Sequence, residues 1–377
     1  MMNPAVLVAL PLWFSVAAVS GSDGLDCTIF NPEKPIYVYK ELAFDVSRRK
    51  KLLKRLIECI EARVVNVDGL YFDNGWSRWY GLRTGLMLAV EMGWNDLARE
   101  FLHLHAGVNV ANQKGYTAAL FTLTDVDGRN TKNVNALKIL LGLGADINWK
   151  NADGKTLLMR AALRGLNDVL RYLISKGASV ELHDEDGDTA LHFASENGHT
   201  SSVLSLIDAG ANVNLQNKKG LTALHEASSA GHTPIVLALL DAGANANLQD
   251  KKGLTALHEA SNWGRTSIVN ALLDAGANVN LLDKNGESAL HKTGNGFGSM
   301  VTVETVRRLV DAGANVNLQD KNGWTPLMEA VDHQFGDSKI VVELLKQGAN
   351  KHIKLADGTT AKDLAKNKGY NNLVNLL

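Results

Sequence analysis

The sequence predicts an all-α protein in which similar helix-loop-helix units stack into a solenoid. The first observation is a period of 33 residues: GDTALH at Gly187 returns as GLTALH at Gly220 and Gly253 and as GESALH at Gly286. The second is that successive copies also close alike, on AGANVN at Ala209 and similar sequences further along. A fixed period of this length is typical of stacked arrays, in which a single unit cannot bury its apolar face alone.

Looser copies extend this register in both directions. They begin at Gly81, Gly115, Gly154, Gly323 and Gly358, and the successive intervals from Gly81 are 34, 39, 33, 33, 33, 33, 37 and 35 residues. Residues 81–357 therefore hold eight units, and residues 358–377 form a shortened ninth that closes the stack. The long intervals place insertions near residues 121–133, 293–302 and 331–338, each between two paired helices.

The first half of each copy predicts a short capped helix, as the copy at Gly220 illustrates. Thr222 precedes an apolar run and suits a helix N-cap, because its hydroxyl can accept a free backbone N–H. Pro326 occupies the next position in the eighth copy, where a missing N–H costs nothing. Leu224 and Ala227 keep one helical face apolar, and Gly231 ends the helix.

The second half of the copy predicts another helix and a tight turn. Apolar residues within Ile235–Leu240 form the stripe of an amphipathic helix, and Gly243 suits the left-handed position that follows a helix. Residues Asn247–Gly253 contain Asp-Lys-Lys-Gly, which favours a turn. Each copy therefore reads as turn, helix, loop, helix and turn.

This pattern resembles the ankyrin repeat over roughly residues 81–377. The matching features are the opening Gly-x-Thr-Ala-Leu-His-x-Ala, the Gly-His pairs at Gly198 and Gly231, and the close Leu-Leu-Asp-Ala-Gly-Ala-Asn. Three copies depart locally from it, at 84–86, 117–121 and 293–296. The resemblance implies a stack of helix pairs with β-hairpin-like turns, which meets its partners through the hairpin tips and the first helices.

Residues 1–21 differ from the rest of the chain and predict a cleaved export signal. Their apolar run of about 15 residues is short for a membrane span, and Ala18 and Ser20 suit cleavage after Ser20, although no Lys or Arg precedes the run. We expect an exported protein, periplasmic or secreted, with no stable membrane span after cleavage. The alternatives are an anchor formed by uncleaved residues 4–20 and a cytoplasmic chain.

Residues 22–80 predict an N-terminal extension and a divergent capping repeat, a segment too short for an ordinary catalytic domain. It contains the two cysteines, Cys27 and Cys59. In an oxidising compartment these would pair, and a loop of that size stabilises by about 3–4 kcal/mol in the chain-entropy model. The alternative is that Cys59, beside Leu56 and Ile60, is simply a small core residue.

Several patterns resemble reactive or ligand sites but favour a structural interpretation. His192, His225, His258 and His291 stand one repeat apart, about 8–10 Å, whereas zinc ligands lie about 2 Å from one ion, so we expect local hydrogen bonds that tie neighbouring repeats. Residues Asp125–Asn130 lack the later ligands of a calcium loop and predict a solvated turn. The basic run Arg48–Lys51 reads as the solvated face of an amphipathic helix.

No phosphate-binding loop, nucleophile elbow, dinucleotide fingerprint or zinc-spaced cysteine set occurs in the sequence. A net charge of −1 gives no general attraction to nucleic acid. The sequence thus predicts a non-catalytic, monomeric protein without cofactor or metal, whose role is to bind a protein partner of unknown identity. The alternatives are a secreted effector or an envelope-enzyme inhibitor or protector that uses the same surface, and last an enzyme or toxin with activity in the cap or the insertions.

The candidate partner-binding residues lie at the turns and the ends of the first helices. Just inside the turns, each directly after the turn glycine, stand Leu221, Leu254 and Trp324, and Trp263 is expected at an exposed, non-core position. The alternative for Trp263 is packing against the insertion that holds Phe297. A groove of this composition predicts a partner with an acidic rim and an apolar centre. The turns themselves carry six lysines: Lys218, Lys219, Lys251, Lys252, Lys284 and Lys321.

Overall fold

The structure is a computed structural model. It describes residues 83–126, 129–130, 133–295, 302–333 and 338–377, together with positions 51, 54, 57–60 and 68. The chain divides into two compact units, residues 1–146 and 147–377. The predicted signal peptide, Cys27 and Phe297 lie outside the described residues, as do Arg48–Lys50 of the basic run.

The described part of the N-terminal unit consists of two helix pairs, and an insertion separates the two helices of the second pair. Helix α1 packs on α2 and α3, and α4 packs on α3 and α2. The insertion contains a small antiparallel hairpin, in which Asp125 pairs with Asn130 and Val126 with Arg129. The prediction of a solvated turn over these residues did not include this strand pairing, although the Asp-Gly dipeptide at 127–128 is a strong hairpin signal in sequence. The elements are α1 (Gly85–Glu91), α2 (Asn95–His103), α3 (Ala118–Phe121), β1 (Asp125–Val126), β2 (Arg129–Asn130) and α4 (Val134–Gly142).

The C-terminal unit continues the same alternation of first and second helices. First helices pack on first helices and second helices on second helices from one repeat to the next, which confirms the all-α solenoid of helix-loop-helix repeats. The elements are α5 (Leu157–Leu163), α6 (Asn167–Ser175), α7 (Ala190–Glu196), α8 (Thr200–Asp208), α9 (Ala223–Ala230), α10 (Thr233–Asp241), α11 (Ala256–Asn262), α12 (Thr266–Asp274), α13 (Ala289–Asn295), α14 (Val303–Asp311), α15 (Pro326–His333), α16 (Ser338–Lys346), α17 (Ala361–Asn367) and α18 (Asn371–Leu376).

The capping residues, helix ends and apolar stripes predicted from the sequence lie at the expected positions in the structure. The Thr222 side chain accepts a hydrogen bond from the backbone N–H of His225 and caps α9, which ends at its C-cap residue Gly231. Helix α10 buries Ile235, Val236 and Leu239, and the left-handed Gly243 follows its C-cap residue. The core of each repeat is thus one apolar face from each of its two helices.

A reciprocal cap opens most first helices, and its chemistry varies among the copies. In the regular copies a histidine three residues after the N-cap accepts from the backbone N–H of the cap residue, as His258 does from Thr255 at 3.1 Å. The sulfur of Met87 does the same for Thr84 at 3.3 Å. A carboxylate oxygen of Asp363 takes this place in the last copy. The copies that open at Thr84 and Thr360 therefore keep the cap without a histidine, whereas Thr117 of the second copy makes no side-chain cap hydrogen bond.

The turns of successive repeats in the C-terminal unit are joined by backbone hydrogen bonds. The N–H of Lys251 donates to the carbonyl of Lys219 at 2.9 Å, and the N–H of Lys284 donates to that of Lys252 at 2.8 Å. The turns approach so closely that a Cβ added to Gly253, whose φ is +83°, would lie 2.8 Å from the Lys284 nitrogen. Only glycine fits there, since both the left-handed φ and the neighbouring backbone exclude a side chain.

The helices of this chain are short. Among the described residues, none is both long enough and apolar enough to cross a membrane.

Candidate functional site

The histidine ladder, consisting of His192, His225, His258 and His291, holds the candidate surface in place. In each ring Nδ1 lies 2.8–2.9 Å from the hydroxyl of the N-cap residue, and Nε2 lies 3.1–3.2 Å from a carbonyl oxygen of the next repeat. Those carbonyls belong to Leu221, Leu254, Glu287 and Trp324. The prediction of local hydrogen bonds that tie neighbouring repeats is confirmed.

Burial keeps these imidazoles neutral. It lowers the pKa of all four histidines, and that of His258 falls to about 4. The neutral ring then accepts at Nδ1 and donates from Nε2–H to the carbonyl across the repeat boundary. In the part of the chain that the structure describes, no three His, Cys, Asp or Glu residues lie close enough together to hold a metal ion.

The six predicted lysines form an exposed ridge along the turns, which we call the lysine ridge. Lys218, Lys219, Lys251, Lys252, Lys284 and Lys321 are all exposed. The turn below them is rigid, because one Asp250 carboxylate oxygen accepts from the N–H groups of Lys252 and Leu254, both at 2.8 Å. The structure thus brings the lysines onto a common edge and leaves their charges in solvent.

Behind the ridge stands the inner row, made of Leu221, Leu254, Glu287 and Trp324. The two leucines and Trp324 are half-buried, and Glu287 is buried. The backbone N–H of Trp324 donates to Asp320 at 2.7 Å, and its carbonyl oxygen lies 3.2 Å from His291 Nε2. The inner row therefore offers apolar and aromatic surface on a backbone that is held at both ends.

Trp263 lies apart from the inner row, at the end of a first helix. It is the C-cap residue of α11, and its backbone N–H donates to the Glu259 carbonyl at 3.1 Å. Its side chain is half-buried, whereas the sequence analysis expected an exposed, non-core position.

A row of carboxylates on the first helices, which the sequence analysis missed, lies beside the inner row. The fourth residue after the N-cap is a glutamate in three first helices, namely Glu226, Glu259 and Glu329. In α13 the same position is occupied by Lys292. The available sequence signal is the recurrence of Glu in Ala-Leu-His-Glu-Ala at the same repeat position. Lys292 forms ion pairs with Asp283, at 2.8 Å, and with Glu287, so its charge is already neutralised.

The pKa of each of these three carboxyl groups is raised above that of an ordinary glutamate. Burial, together with the smaller effects of the charges on Glu196 and Asp188, raises the pKa of Glu226 to about 7. Burial likewise raises the pKa of Glu329 to about 8, with Glu287 and Asp320 adding to the shift. The pKa of Glu259 is raised by the same cause.

Glu329 meets Glu287 and Trp324 of the inner row at a cavity of about 250 Å³. It lies between the repeats that contain α13 and α15, where Trp324 supplies an aromatic wall. Its lining residues are Asn285, Glu287, Asp320, Asn322, Trp324, Glu329 and Asp332. Polar and aromatic groups therefore converge at this end of the groove.

Comparison with known proteins agrees with this geometry. The sequence model of the family described as "Ankyrin repeats (3 copies)" matches residues 128–217, 195–283, 264–355 and 290–377, which together cover more than half of the chain. Among solved structures, the human ASB11 ankyrin repeat domain is similar with a TM-score of 0.50 and 28% sequence identity, over 56% of this chain and 91% of that one. No curated protein matches the sequence significantly.

Proposed function

Because this chain belongs to the ankyrin repeat family, we propose that it is a non-catalytic scaffold that binds a protein partner with the lysine ridge, the inner row and the first helices. The observation that carries the proposal is the groove itself. A rigid inner row with half-buried leucines and Trp324 stands between the exposed lysines and the carboxylates, of which Glu329 is buried and Glu226 and Glu259 are half-buried. Large aromatic residues that are partly buried before binding are common interface anchors.

The proposal also covers the compartment and the oligomeric state of the protein. Residues 1–21 support export to the periplasm or the medium, and a reporter fused to residues 1–25 that stays in the cytosol would overturn it. The balanced net charge of −1 supports a protein partner rather than nucleic acid, and the chain acts as a monomer.

The double substitution W263A and W324A tests the groove. Truncating two interface anchors removes apolar contact area in the partner's footprint, so we expect at least a tenfold loss of affinity, about 1.4 kcal/mol or more. The measurement is capture of the partner by the immobilised full chain, followed by titration of the purified partner. The far-ultraviolet circular dichroism should stay unchanged, because neither side chain is part of the buried core.

The matched control is L204A and L237A. Both leucines lie on second helices and are 47% exposed, so their truncation also removes apolar surface without opening the core. Binding should survive in the control. A partner that is retained by the tryptophan variant, or lost equally in both variants, would place the binding surface elsewhere.

A further inference from the structure

We propose that the partner occupies this groove with a basic segment, whose Lys or Arg side chains lie against Glu226 and Glu259 at one end and enter the cavity beside Trp324 at the other. The inference rests on the proposed function and names the chemistry of the partner. It differs from the expectation, drawn from the lysines and the apolar residues beside them, of a partner with an acidic rim and an apolar centre.

The first argument is the distribution of negative charge along the groove. Asp188, Glu196 and Glu259 surround Glu226, and Lys219 is the positive group that acts on it. Lys219 itself is exposed on the ridge, where solvent screens its charge. An acidic segment placed on this floor would meet like charges, whereas a basic one would complement them.

The second argument is the negative charge around Glu329, at the other end of the groove. Glu287, Asp320 and Asp332 face it, and Lys292 is the positive group that acts on it. Lys292 is held in ion pairs with Asp283 and Glu287, so it is not able to leave them for Glu329 without cost. The groove thus has two carboxylate groups separated by one neutralised lysine.

The third argument is the wall and size of the cavity near Glu329. Trp324 lines it together with the carboxylates, and its volume of about 250 Å³ admits a long side chain. A guanidinium or ammonium group is attracted both to the face of an indole ring and to a carboxylate, and a planar guanidinium also donates two parallel hydrogen bonds. Few other side chains satisfy an aromatic wall and an acidic lining at once.

The spacing of the repeats indicates how such a segment would lie. Packed helices of successive repeats stand about 8–10 Å apart, and an extended segment in the polyproline II conformation rises about 3.1 Å per residue with three residues per turn, so that every third side chain points the same way. One repeat therefore corresponds to three residues of the partner. Glu226 and Glu259 are one repeat apart, and Glu329 follows two repeats later. Basic residues at positions i, i+3 and i+9 of an extended segment would meet all three carboxylates.

A peptide titration tests this inference with the full chain. The probe is a labelled extended peptide with arginines at positions i, i+3 and i+9, and its counterpart has glutamates there. We expect the arginine peptide to bind and the glutamate peptide not to bind. The double variant E226Q and E329Q should bind the arginine peptide at least tenfold more weakly, because two charge-assisted contacts are lost.

The matched control is D208N and D241N, compared at pH 9, where Glu226 and Glu329 are ionised and both double variants make the same change in net charge. Both aspartates are exposed at the ends of second helices, away from the groove. The control should bind the arginine peptide as the unchanged protein does. Equal weakening in both variants would show unspecific attraction and overturn the inference, and so would full binding by the glutamine variant.

The pH dependence of peptide binding provides a second readout. The cation prefers the ionised carboxylates, so affinity should rise between pH 6 and pH 9 as Glu226 and Glu329 lose their protons. The glutamine variant should show a shallower profile, because Glu259 is the one carboxylate of the three that it keeps, and a profile as steep as that of the unchanged chain would contradict the assignment. If the tryptophan variant loses the natural partner while the glutamine variant binds the arginine peptide fully, the proposed function stands and this inference fails.

Discussion

The substitution H258A is expected to lower the free energy of unfolding by about 2–4 kcal/mol, because it opens a cavity and removes hydrogen bonds from a buried site. His258 is 1% exposed. Its ring bonds the Thr255 cap at 2.8 Å and reaches the Glu287 carbonyl of the next repeat at 3.2 Å. The measurement is the urea midpoint of the full chain, followed by circular dichroism, with the slope of the transition compared as well.

The control for this substitution is H352A. His352 is exposed in the turn after the eighth copy, so its truncation should change the free energy of unfolding by less than about 0.5 kcal/mol. A midpoint for H258A that equals that of H352A would show that the ladder contributes nothing to stability.

The same variant separates the pH dependence of the ladder from that of the carboxylates. The pKa of His258 is about 4 in the folded chain and about 6.5 when unfolded, so its contribution is complete above pH 6.5 and is lost as the pH falls towards 4. Glu329 acts oppositely: with a folded pKa of about 8, its contribution is complete below about pH 4.5 and is lost as the pH rises through 8. The difference in stability between the unchanged chain and H258A should therefore shrink between pH 7 and pH 5.

The substitution G253A is expected to destabilise by about 3 kcal/mol or more, although it adds a single methyl group. Its Cβ would lie 2.8 Å from the Lys284 nitrogen and 2.9 Å from the Asp283 Cα, so the neighbouring turn would have to move. That movement would strain the hydrogen bond from the Lys284 N–H to the Lys252 carbonyl. The measurement is again the urea midpoint.

The control G243A separates the clash from the backbone strain. Gly243 has a φ of +85°, nearly that of Gly253, but nothing lies within 4 Å of its added Cβ. It should cost only the strain of a left-handed residue, about 1–2 kcal/mol. Equal losses in the two variants would show that contact between the turns is not what excludes a side chain at Gly253.

The fold was predictable from the sequence because each copy repeats the same local signals. The cap at Thr222, the helix end at Gly231 and the apolar stripe of α10 all depend on residues close together in the chain. The histidine ladder was predictable for the same reason, since its period equals that of the fold. The N-terminal copy was harder, because Met87 performs the capping role of the histidine with a different chemical group.

The candidate site was predictable only in part. The lysine ridge follows from the turn sequence, since turn tips are solvated. The raised pKa of the carboxylates in the groove does not follow from the turn sequence. That of Glu226 depends on burial and on carboxylates such as Glu196, which precedes it by about one repeat. The partial burial of Trp263 also depends on tertiary packing. The Cys27–Cys59 bridge stays a prediction, with Cys59 buried and Cys27 outside the described residues.

The central claim is that the partner lies on the turns and first helices rather than on the second helices. The most direct measurement places a photoactivatable cross-linking residue at Leu254, in the inner row, and in a second variant at Leu237, on α10. The account predicts that the purified partner cross-links through position 254 and not through position 237. Cross-linking through position 237 alone would contradict it, and would place the partner on the opposite helices.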